Sequence, residues 1–80
     1  MKQVKEIDLL RAGVAQAKAV LIMAEAHADA GNNTSAKVSA NSILAAISDW
    51  RQCFVEESNR LAPQMKRLED EAKSLLKTLN

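Results

Sequence analysis

Apolar residues recur at every third and fourth position over the first segment, from about Lys2 to Ala30. The series is Ile7, Leu10, Val14, Ala17, Leu21, Ala24 and Ala28. That spacing sets them along one side of an α-helix. A second apolar strip runs beside it: Leu9, Ala12, Ala15, Ala19, Ile22, Met23 and Ala26. From Ala19 to Ala24 every position is apolar. Such a stretch needs cover on more than one side, which one neighbouring helix cannot give.

Gly31-Asn32-Asn33-Thr34 punctuates the chain. Glycine tolerates the left-handed conformation that ends a helix, and Asn, Thr or Ser35 can accept from the amides opening the next one. A connection this short predicts an antiparallel helical hairpin, with a second helix over about 35–59. Its inward seam is Ala36, Ala40, Ile43, Ile47, Trp50 and Phe54; Leu44, Ala46, Cys53 and Val55 fall off it. Alanines flank the loop on both helices and suit close backbone approach there. Trp50 and Phe54 are expected to fill the wider far end against Ile7, Leu10 and Val14. The predicted core anchors are therefore Ile7, Leu21, Ile43, Ile47, Trp50 and Phe54. Gly13 weakens the first helix by roughly 1 kcal/mol relative to alanine.

Pro63 interrupts this pattern, because proline cannot donate to the preceding turn and disfavours helical geometry at Ala62. Beyond it, Met65, Leu68, Ala72, Leu75 and Leu79 resume a helical seam. The expected third helix covers about 63–79, with proline in its first turn; one helix kinked through Pro63 is the alternative. The architecture predicted is all-α, a three-helix bundle forming one domain over residues 1–80.

Composition narrows the functional classes. Two glycines, one proline and no tyrosine argue against strands and turns. Eleven basic and ten acidic side chains leave a net charge of +1, which advertises no nucleic-acid or anionic-lipid surface. A single cysteine forms no internal disulfide. The start of the chain mixes both charge signs, unlike a secretory signal. Its longest apolar run, Ala19–Ala24, falls far short of the roughly twenty residues of a membrane span. A soluble, cytoplasmic protein is the expectation.

No catalytic or metal-binding constellation emerges, and no cofactor or small-molecule substrate is expected. His27, the only histidine, falls near Val38 and Ser39 in such a hairpin, far from Cys53, whose only cationic neighbour is Arg51. Glu25 and Asp29 share a helix face, while His27, two residues from each, points elsewhere. Asp49, Glu56, Glu57, Glu69, Asp70 and Glu71 read as solvated helix-surface carboxylates. Glu69 with Lys73 and Arg67 with Glu71 are spaced to support each other by roughly 0.2–0.5 kcal/mol per pair. A nucleic-acid reading would use Lys66, Arg67, Lys73 and Lys77 of the third helix, beside Lys2, Lys5 and Arg11. Interleaved acids and the absence of exposed aromatic platforms weigh against it.

A protein partner fits better. The third helix is short and covers only part of the second strip, leaving Leu9, Ala19, Ile22 and Met23 as the candidate interface. The function expected is a non-enzymatic interaction module: a homodimer, or a small inhibitor or adaptor docking on a larger assembly, as in phage or plasmid accessory proteins. The hairpin Ala24-Glu-Ala-His-Ala-Asp-Ala-Gly-Asn-Asn with Ala36-Lys-Val-Ser-Ala-Asn-Ser-Ile-Leu-Ala-Ala-Ile-Ser-Asp resembles the central hairpin of HEPN-type helical domains. Ribonucleases of that family carry an arginine followed by a histidine on a late helix. Arg60 and Arg67 have no histidine after them, since His27 precedes both. The resemblance implies helical dimerisation without ribonuclease activity.

Overall fold

A computed structural model describes residues 5–80. The predicted helix start near Lys2, and Lys2 itself, lie outside the described residues. These fold into four α-helices with no strand among them: α1 (Glu6–Asp29), α2 (Asn33–Cys53), α3 (Val55–Arg60) and α4 (Ala62–Leu79).

α1 ends as its sequence dictates. Gly31 adopts φ 83°, its amide donates to the Ala28 carbonyl, and the Asn32 amide donates to that of His27. These crossed bonds satisfy carbonyls that a helix end leaves open, and they need the left-handed residue that glycine supplies without steric cost. Asn32 then accepts from the Ser35 amide at 3.4 Å and opens α2. Helix two thus starts at Asn33, two residues before the expected position.

The expected second helix is in fact two. Phe54 leaves helical geometry at φ −125°, ψ 64°, and separates α2 from α3. Nothing between Asn33 and Asn59 is a glycine or proline, so no local breaker marks the site. Polar chemistry supports the bend instead. Ser58, only 6% exposed, donates its hydroxyl to the Trp50 carbonyl at 3.0 Å, and that carbonyl also accepts from the Phe54 amide at 2.7 Å. Glu56 and Glu57 lie in the first turn of α3, where free amides favour negative charge.

Leu61 closes α3, and Pro63 sits in the first turn of α4, where its missing N–H has no helical carbonyl to meet. The chain therefore does not run as one kinked helix through Pro63.

The core lies between α1, α2 and α4. It takes Leu10, Val14, Ala17 and Leu21 from the first, Ala40, Ile43 and Ile47 from the second, and Met65, Leu68 and Ala72 from the last, with Leu61 at the junction. Three expected anchors are corrected: Ile7, Trp50 and Phe54 pack against this core but are only partly buried. They sit toward one end of a slab measuring 45 × 24 × 16 Å. Helix axes pack about 8–10 Å apart and Cα atoms lie about 2.3 Å from each axis, so two layers span about 13–15 Å and that thickness admits no third. Trp50 lies over α1 at Gly13, where a Cβ would come within 2.9 Å of its ring. The glycine that weakens α1 locally is what admits the indole.

Candidate protein interface

Every member of the second α1 strip (Leu9, Ala12, Ala15, Ala19, Ile22, Met23 and Ala26) is exposed. At about 100° per residue, positions 12–26 of this strip face directly away from Leu10, Ala17, Leu21 and Ala24. Ile22 is 68% exposed and Met23 59%. Ala19, Ile22 and Met23 form one surface. Leu9, 53% exposed, stands about 20 Å away along the helix and on the far edge of the strip, so it is not part of the same patch.

On one side of this face, α1 and α4 enclose a groove. Its central section has a volume of about 540 Å³. Ile22, Leu21 and Leu68 supply apolar lining, and Lys18, Arg67, Glu25 and Glu71 supply charge. The groove continues in both directions. One extension shares Lys18 and Gln64 and reaches Arg11 and Leu61; the other shares Glu25 and Glu71 and reaches Ser74 and Thr78. On the opposite side of α1, Val20, Ile43, Ala46 and Trp50 line a smaller apolar depression of about 230 Å³.

The α4 wall of the groove (Pro63, Gln64, Arg67 and Glu71) was not linked to helix one by sequence reasoning. Its signal lay in the positions flanking the Met65–Leu68–Ala72 seam. Gln64 and Glu71 border that buried stripe and so stand at the edge of whatever it packs against, whereas Pro63 and Arg67 lie further round the helix and carry no such signal.

The other candidate residues fall apart in space. His27 is half-buried in the last turn of α1. Cys53 is exposed at the end of α2. Among the described residues, no three His, Cys, Asp or Glu side chains assemble as metal ligands, and no helix is long and apolar enough to cross a membrane. The basic residues of α4 divide. Lys66 pairs with Asp70 at 3.1 Å and approaches Glu69 at 3.9 Å, and Lys73 approaches Glu69 at 4.0 Å. Arg67 instead lines the groove with Glu71. Lys66, Lys73 and Lys77 share one side of α4, where Glu69 and Asp70 stand among them, while Arg67 is turned away from the three.

Glu69 is the most connected carboxylate. Arg51 of α2 donates to both its oxygens, at 2.7 and 3.3 Å. This two-point bond, aided by the charges of Lys73 and Lys66, holds its pKa below the ordinary 4.5 and raises that of Arg51. At the start of α1, Glu6 shifts the other way. The neighbouring carboxylate of Glu57 favours a shared proton and, with the negative charge of Glu56 behind it, raises the pKa of Glu6 above 4.5.

The signs of these shifts predict opposite trends in acid. As pH falls from neutrality, Glu6 takes up its proton before the ordinary value and relieves a repulsion. Stability contributed by Glu69 persists above about 4.5 and is lost as pH falls through its lowered pKa. Denaturant midpoints measured against pH are expected to show the loss on the acid side in the parent and not in Glu69→Gln. That variant starts ~0.2–1 kcal/mol less stable at pH 7. An unchanged acid limb in Glu69→Gln would contradict this assignment.

No family model, no curated protein and no solved structure matches this chain.

Proposed function

We propose that this chain is a non-enzymatic helical interaction module. In this reading α1 and α2 form an antiparallel hairpin, α4 completes a three-helix bundle, and the outer face of α1 binds protein. It acts as a homodimer, or as a small inhibitor or adaptor on a larger protein. The observation that carries the reading is the exposure of Ile22 and Met23, with alanines before and after them, on the side of α1 opposite the core. Large exposed apolar residues in one contiguous patch are characteristic of surfaces that a partner covers.

The test is the double variant Ile22→Glu/Met23→Glu. Because both side chains point to solvent, helical circular dichroism is expected to persist and stability to change by about 0.5 kcal/mol or less. Chemical cross-linking, to itself or to a host protein, is expected to disappear. Cross-linking that survives the double variant, or a parent chain that makes no protein contact in its host, sinks the proposal.

A further inference from the structure

The flank of α1 beside the exposed face carries four charges in a fixed order: Arg11, Lys18, Glu25 and Asp29. They recur at intervals of seven, seven and four residues and lie within about 40° of one another around the helix. The positive pair occupies the N-terminal half and the negative pair the C-terminal half. On the opposite wall Asp70 and Glu71 stand with Glu25, Gln64 stands with Lys18, and Arg67 lies between them in the central section. Among the described residues, Lys18, Glu25, Asp29, Arg67 and Glu71 make no ion pair within 4.0 Å; Arg11 meets only Asp8, at 3.8 Å and in the open.

A flank polarised end to end fits a helix of reversed polarity, and α1 is such a helix when turned around. We infer that the exposed face of α1, with this charged flank at its edge, packs on a second copy of this chain, the two α1 helices lying antiparallel about a two-fold axis at the level of Val20 and Leu21. This rests on the reading of the α1 face as a protein-binding surface. A perpendicular two-fold brings equivalent flanks of two antiparallel helices together, so Lys18 of one copy meets Glu25 of the other, and Arg11 meets Asp29, twice over. The same register sets Ala19 against Ile22 and Ala15 against Ala26, small against large or small, which permits close approach. A parallel pair would bring the charged flank against the uncharged edge of Leu9, Gln16 and Val20, with no such compensation.

The test is a charge exchange read by sedimentation equilibrium over a roughly hundredfold range of concentration. The parent is expected to associate to twice its 8.7 kDa mass. Lys18→Glu alone and Glu25→Lys alone each turn two attractions into repulsions, and each weakens self-association by roughly tenfold. An equimolar mixture of the two single variants regains the parent's affinity, because the new carboxylates at position 18 face the new ammonium groups at position 25. Lys18→Glu/Glu25→Lys in one chain does the same. All four positions are exposed, and circular dichroism verifies that each variant is folded.

A monomeric parent overturns the inference. So does a dimer indifferent to the single exchanges, or a mixture that fails to recover. If the parent is monomeric while a host protein cross-links to it and is lost with Ile22→Glu/Met23→Glu, the α1 face is a docking surface for that protein and the self-pairing alone fails. A dimer that withstands both the charge exchanges and Ile22→Glu/Met23→Glu removes the two readings together.

Discussion

Leu68→Ala is expected to cost about 2–5 kcal/mol, the range for emptying a fully buried leucine site. Leu68 is 2% exposed and belongs to the core that joins α4 to α1 and α2. Removing its branched end forfeits the transfer energy of the lost carbons, and the two-layered slab has little surrounding mass to collapse into the space. A domain of eighty residues has a total stability of only about 4–12 kcal/mol, so the substitution removes a large fraction of it. Urea unfolding is expected to show a shifted midpoint with an unchanged slope, because the surface exposed on unfolding is nearly the same. Leu76→Ala, at a half-buried position just over two turns on, is the comparison and should cost clearly less. Equal losses at the two positions would mean that burial does not rank the side chains of α4.

Ala40→Leu is expected to destabilise by about 1–3 kcal/mol, although it adds apolar volume and scarcely changes helix propensity. Ala40 has no exposed surface, and neither have Ala24, Ala36 and Ala72. Such residues set the distance between backbones, and a larger side chain must force the helices apart or leave its preferred rotamer. Ala45→Leu on the exposed side of α2 is the control, with a change within about 0.5 kcal/mol. Thermal unfolding separates the two clearly, since 1 kcal/mol moves the midpoint of a domain this size by about 4–8 °C. If the two substitutions behave alike, the alanines are not spacers.

Much of this was legible in the order of residues. Leu10, Val14, Ala17, Leu21 and Ala24 were set inward by their spacing and are buried; the strip from Leu9 to Ala26, which the last helix was expected to cover in part, is exposed throughout. The turn at Gly31 and the start of α4 at Pro63 follow from residues whose backbone freedom is unusual in opposite directions. The segment from Ala24 to Asp49 contributes Ala24, Ala36 and Ala40 to the interior.

Two features were not legible. The bend at Phe54 has no glycine or proline behind it; it depends on Ser58 reaching back to the Trp50 carbonyl, a contact between positions eight apart that no periodicity encodes. The groove depends on which face of α4 turns toward Lys18 and Glu25. That is settled by the packing of Met65, Leu68 and Ala72 against the other helices and not by α4 alone.

The seat of Trp50 over Gly13 gives the protein an intrinsic optical reporter. As the sole indole in a chain without tyrosine, it dominates the near-ultraviolet absorption and emission. Its ring rests on α1 only while α1 and α2 are docked, so a red shift in emission marks their separation. The helical backbone signal can outlast that event, and the two spectra together distinguish parted helices from melted ones.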